Sequence, residues 1–178
     1  TLLSQTVRRS ADDATRLVLL ENSLMEATQT VVDIYSRYLF ESAVIEARKT
    51  HIPSAQELNG FMLDAQEQSY GDGLSKDARH PSMWVCKSHY YSTGLHFYNF
   101  PYAFGLLFGL GVFVQFQKEG AAFVPKYDKL LASCGSDTVR NVAASVGIDV
   151  NSVDYWRSAL DVVRGEINEF LTLSEKKC

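Results

Sequence analysis

Two imidazoles, His89 and His96, and four phenols, Tyr90, Tyr91, Tyr98 and Tyr102, fall within one short stretch, residues 89–105, just ahead of an apolar run. Phenols and imidazoles can stack on a ligand and also donate hydrogen bonds at neutral pH. Burying such a cluster is costly unless each polar tip finds a partner. The stretch therefore reads as the wall of a binding site. It reads equally well as an aromatic-rich core junction whose tips are satisfied internally.

The rest of the chain supplies little chemistry. His51 and His80 lie in polar, loop-like surroundings that suit solvated side chains, and no histidine pair has the H-E-x-x-H spacing of a zinc helix. There is no glycine-rich phosphate loop and no G-x-S-x-G. Glu21, Glu26, Asp33, Glu41 and Glu46 fall mostly where a solvated helix face would carry them. Glu41 stands apart, because Leu39 and Phe40 flank it and Arg37 or Arg48 could neutralise it. Cys86, Cys134 and Cys178 are odd in number and form no C-x-x-C, which suits a reducing cytoplasm and no metal role. Cys134 reads as a small core residue and Cys178 as a free thiol on a frayed end. On these residues alone the chain has a binding wall and no complete catalytic set.

The elements that must position this wall read as helices. Residues 11–49 contain neither Gly nor Pro, and Leu17, Leu20, Leu24, Val31, Ile34 and Tyr38 recur at helical spacing. Ser10 with Asp12 and Asp13 marks the start. So long a run predicts a break near residues 27–30. After Pro53, Ser54 and Glu57 have the spacing of a capping box, opening a helix to about Ser69. Residues 70–83 and 84–99 read as loops, the second carrying side chains into a cleft. Pro101 suits a first helical turn. Residues 102–118 then form a helix apolar nearly all round, so it should be buried on most sides, with Gly120 ending it. Three shorter helices follow: 123–133 with Tyr127, Leu130 and Leu131 on one side, one from Ser136-Asp137 to Gly147, and one from Asn151 or Ser152 to about Leu173. The last carries Val153, Trp156, Leu160, Val163, Ile167 and Phe170 on one face. The fold class is all-α, with the aromatic segment as an irregular loop.

A chain of 178 residues, 46% apolar and 21% charged, is globular and large enough for one domain. A net charge of -4 without a basic stripe argues against nucleic acid. The apolar run at 100–116 falls short of the roughly 20 residues a membrane span needs. Gly105 and Gly109 make a G-x-x-x-G that lets another helix approach closely. The chain opens at Thr1 in mid-pattern, without a leader, as a fragment of a longer protein would.

The run Ser88-His89-Tyr90-Tyr91, followed by Phe97-Tyr98-Asn99-Phe100-Pro101-Tyr102-Ala103-Phe104-Gly105, resembles the C-terminal signature of oligoendopeptidase F and its relatives. These sit in the wider thimet-oligopeptidase family of zinc metallopeptidases. Phe40-Glu41 with Arg48, the helix start at Ser54 and the stop at Tyr70-Gly71 are similar to the segment before that signature, and the helical tail after Gly120 also fits. The resemblance implies a mostly helical fold around a channel for short peptides, with residues 1–178 as the C-terminal part of the catalytic domain. Its zinc would sit on an H-E-x-x-H helix and a later glutamate, both upstream of Thr1, so zinc belongs to the complete enzyme and this chain binds none. Zinc there lowers the pKa of bound water and polarises the scissile carbonyl. Carried across, the family histidine falls on His89 and the two wall tyrosines on Tyr98 and Tyr102. Tyr91 and His96 are weaker substrate contacts, and the nine residues from His89 to Tyr98 exceed the spacing in some relatives. The implied partners are short peptides and the upstream part of the same protein, in the cytoplasm, with no nucleic acid or membrane. The chain alone would be inactive and would expose apolar surface around the aromatic segment. Two other readings are a non-catalytic helical domain whose aromatic segment docks a partner, and a membrane-associated protein built on residues 100–116.

Overall fold

The computed structural model describes residues 7, 8 and 10–176. Among the described residues it is all-α, with helices, one π-helical turn, several 3-10 turns and no strand. The helices are α1 (Asp13–Thr28), α2 (Ile34–Ala47), α3 (Ala55–Tyr70), α4 (Phe100–Glu119), α5 (Val124–Ala132), α6 (Val139–Ala144) and α7 (Val153–Glu175). The chain divides into two compact units. Met25–Phe104 forms one; the segments Thr1–Leu24 and Gly105–Cys178 form the other.

In the Met25–Phe104 unit the break expected near residues 27–30 is a π-helical turn over Gln29–Asp33, and the chain passes from α1 into α2 without leaving the helix. A π turn holds one more residue than an α turn, so every side chain beyond it is rotated relative to the 3.6-residue pattern. That rotation corrects one expectation: Asp33 is buried, not solvated. The predicted capping box is present. Ser54 Oγ accepts from Glu57 N, and Glu57 Oε2 accepts from Ser54 N at 2.8 Å. Phe40, Met62 and Ala65 make the core where α2 meets α3, and Leu39, Leu58, Phe61, Trp84 and Tyr90 pack against it. The loop after α3 is fastened by side-chain amides. Gln66, 2% exposed, pairs with both backbone groups of His80 at 3.0 Å, and Asn59 Oδ1 accepts from Trp84 Nε1 at 2.9 Å. His80 itself is exposed, as is His51, which contacts Glu57 at 2.9 Å.

The other unit is built on Val112, Phe123, Leu130, Ala143, Val146, Ile148 and Tyr155. Here several expectations change. α4 has 20 residues, and the stretch beginning at Phe100 is long and apolar enough, by length and composition, to cross a bilayer. Its buried residues are only Leu110, Gly111, Val112 and Phe113, so it is not buried on most sides. Val112 belongs to a protein core, and core helices are commonly apolar enough to resemble spans. Nothing approaches Gly105 or Gly109 closely. The close approach is at Gly111, where an added Cβ would lie 2.3 Å from Tyr155 Cζ. On α5 only Leu130 is buried, while Tyr127 and Leu131 are exposed. α6 begins later than expected, with Thr138 Oγ1 capping Asn141 N. α7 buries Tyr155, Ala159 and Leu173, leaving Val153, Leu160 and Ile167 exposed. Cys134 is exposed rather than a core residue, Cys86 is also exposed, and Cys178 lies outside the described residues. Gly120, Gly135 and Gly147 take positive φ where helices or turns end.

Two outcomes follow. Tyr155 donates to Phe108 O at 2.9 Å, so its ring cannot yield freely to a methyl at Gly111. Gly111→Ala should lose about 1–3 kcal/mol of stability, read as the urea midpoint; an unchanged midpoint would show that the contact is slack. Hydrogen bonds from Ser54, backbone first, and then from His51 hold the Glu57 carboxyl at about 2. A depressed folded-state pKa gives stability that is fully present above the unfolded value, near ~4.3, and is lost as pH falls through the folded one. The stability gap between the parent and Glu57→Gln should therefore be constant above pH ~5 and close towards pH ~2, in denaturation at stepped pH.

Candidate functional site

The site lies wholly in the Met25–Phe104 unit and starts from an ion pair between buried Asp33 and half-buried Arg37. Asp33 ends the π turn, and Arg37, one turn on, pairs with its Oδ2. Gln29 Nε2 donates to the same oxygen at 3.0 Å, and Tyr70 OH donates to Oδ1 at 3.1 Å. Burial, with the Asp33 charge beside it, pushes the Tyr70 phenol up to about 12. The carboxylate is thus satisfied from three elements, as a buried charge must be.

Arg37 reaches onward. Its Nη1 donates to Asn99 Oδ1 at 3.4 Å, and Asn99 Nδ2 lies 2.9 Å from His89 Nε2. His89 stacks in tilted geometry on Tyr90 (4.6 Å) and Tyr98 (5.8 Å). The Tyr98 and Tyr102 rings meet edge-on, with their hydroxyls 3.3 Å apart. Tyr98 and Tyr102 are one turn apart across the start of α4, which is why their tips meet. Burial and then the Arg37 charge push the His89 pKa down, so the ring is neutral at neutral pH. The hydrogen bond between the two hydroxyls pushes the Tyr102 phenol up.

Backbone geometry is set by Glu41. Its Oε1 accepts from Phe97 N at 2.7 Å, and Phe97 holds φ 50, left-handed for a non-glycine residue. Tyr38 packs on the Phe97 ring at 5.3 Å. The expected partner for Glu41 was Arg37 or Arg48; the hydrogen bond it makes is to this main-chain N–H instead. A carboxylate that closes a strained turn beside a cluster of donors is a positioning group.

The structure therefore gathers three of the expected residues, His89, Tyr98 and Tyr102, on one side of the loop. Tyr98 is 44% exposed and Tyr102 54%, so both side chains lie at the surface. Tyr91 and His96 are also exposed, but no hydrogen bond or ring contact ties either to the three. Tyr90 turns inward onto Phe40, and its buried hydroxyl has no hydrogen-bond partner among the described residues. Sequence reasoning missed Asp33, Arg37, Asn99 and Tyr70. The Asp33–Arg37 spacing of four was a visible signal for a pair on one helix face. Asn99, within the aromatic segment, gave no sign of its contacts. Among the described residues no three of His, Cys, Asp and Glu come together to hold a metal ion.

No family model matches the chain, and no solved structure matches it. Two proteins named as oligoendopeptidases do. The chain is 25% identical over 177 residues to an oligoendopeptidase F homolog of Lactococcus lactis subsp. lactis. It has the same identity, over the same length, to a plasmid oligoendopeptidase F of Lactococcus lactis subsp. cremoris. Both alignments cover 98% of this chain but 29% of the relative. The chain is distantly similar, from end to end, to under a third of a peptidase.

Proposed function

We propose that this chain is the C-terminal part of a cytoplasmic zinc oligopeptidase, and that His89, Tyr98 and Tyr102 bind the scissile carbonyl of a short peptide as it gains negative charge. The observation that carries this reading is the grouping of one imidazole with two exposed phenols whose hydroxyls meet. End-to-end similarity to peptidases supports it.

The chemistry follows from the proton inventory. Two hydroxyls 3.3 Å apart share one hydrogen bond, which leaves one O–H to point outward. A carbonyl oxygen placed against the pair accepts that proton donor weakly in the ground state. As the carbonyl carbon becomes tetrahedral, charge builds on the oxygen and the hydrogen bond becomes charge-assisted and stronger. A phenol is suited to this task because its proton stays in place while the charge develops, and the Tyr98 contact holds the Tyr102 proton more tightly still. Fixed neutral donors gain most in the transition state, so they raise turnover more than substrate affinity. Tyr91 and His96, exposed farther along the loop, would contact substrate beyond the reacting bond.

Zinc belongs to the complete enzyme in this reading. Its ligands would come from the part of the protein outside this chain, since the described residues offer none. That part is a partner for this one, and the chain by itself would not hydrolyse peptides. An acidic balance of -4 fits a protein that acts on neither nucleic acid nor anionic membrane.

In the full-length protein, Tyr98→Phe or Tyr102→Phe should lower kcat on a short fluorogenic peptide by about 10²–10³, with KM changed little. Unchanged kcat for both variants would remove these phenols from the reaction.

A further inference from the structure

The contact between Asn99 and His89 carries more information than its length. An amide presents one acceptor and one donor, and which end faces which neighbour is decided by what those neighbours can do. Arg37 is a donor only, so the Asn99 end that meets it must be Oδ1. Asn99 Nδ2 then faces His89, at 2.9 Å from Nε2, and an amide nitrogen can only donate. Nε2 must accept, so it cannot carry the ring proton. In a neutral imidazole that proton is then on Nδ1, which has no partner among the described residues. The direction of the whole chain is fixed at its far end, where the buried Asp33 carboxylate holds Arg37 in place.

We propose that Asn99 is a positioning residue that, through Arg37, locks His89 in the Nδ1–H tautomer, so that His89 offers its ligand a neutral N–H donor and not a base. The chemical class recognised is therefore a hydrogen-bond acceptor, a carbonyl oxygen before an acid or a cation. This deepens the peptidase reading and rests on it for the identity of that carbonyl, but the tautomer itself can be measured without any activity. The charged groups around the ring agree with it. Burial, the largest influence, then Arg37 from α2 and Lys87 from the preceding turn oppose an imidazolium, and only Glu41 from α2 favours one.

The test is the long-range 1H–15N spectrum of the whole chain, with the His89 ring assigned by its loss in His89→Gln. The expected pattern is an unprotonated Nε2 and a protonated Nδ1. Asn99→Asp replaces the donor with an acceptor and should move the proton to Nε2, reversing the pattern and raising the His89 titration midpoint by about one pH unit. Asn99→Ala should give a mixture of the two tautomers. A parent protein with its proton on Nε2, or an Asn99→Asp spectrum with the parent's pattern, would overturn the proposal. The parent spectrum alone decides the matter if a variant does not fold. Should the Nδ1–H pattern appear while Tyr98→Phe and Tyr102→Phe keep full turnover, the peptidase reading falls and the tautomer assignment stands.

Discussion

The Asp33–Arg37 pair is the constraint from which the candidate site takes its orientation. A guanidinium cannot accept a hydrogen bond, so once its place is fixed, the polarity of each group beyond it is fixed too. Asn99 must turn its oxygen towards Arg37 and its nitrogen towards His89. Removing one partner of such a buried pair typically costs about 3–5 kcal/mol, because the other is left charged and unsatisfied. Asp33 escapes that state through three donors, from Gln29, Arg37 and Tyr70. The π turn matters here, since it is the element that turns Asp33 inward. Such turns are frequent at functional sites for this reason: they re-aim a side chain without ending the helix.

A second constraint acts on the main chain. Phe97 sits in a left-handed conformation that non-glycine residues seldom adopt, and the Glu41 carboxylate and the Tyr38 ring hold it there. The strained turn lies directly before Tyr98 and Asn99. The loop behind it is held by Gln66 and Asn59, whose amides replace the ladder or helix bonds that an irregular segment lacks. Side chains on a loop can be as fixed as those on a helix when its backbone groups are fastened in this way. The result is a group of one imidazole and two exposed phenols on an otherwise acidic protein.

Much of the fold was legible because helices announce themselves by period and by caps. The Ser54–Glu57 box, the stop at Gly120 and the absence of strands among the described residues all follow from residue type and spacing. The failures share one cause. A helical period shows that a stripe exists, but which stripe is covered depends on what packs there. α7 illustrates this: its apolar face at 153, 160 and 167 is exposed, and the buried line runs through Tyr155 and Ala159. Gly111 outranks Gly105 and Gly109 for the same reason, since only it meets a Tyr155 ring. His89, Tyr98 and Tyr102, singled out by residue type and motif, do lie beside one another. Asp33 could not be placed, because a π turn shifts the phase that any 3.6-residue reading assumes. Nor could Asn99, whose contacts join His89 in its own segment to Arg37, far back in the sequence.

The claim that these donors face a carbonyl turning anionic is tested most directly by a crystal structure of the full-length protein with a phosphinic peptide, whose tetrahedral phosphinyl group mimics that state. The account predicts a phosphinyl oxygen within hydrogen-bond distance of the Tyr98 or Tyr102 hydroxyl, with His89 Nδ1 turned towards a peptide oxygen. A phosphinyl group bound out of reach of all three side chains would contradict it.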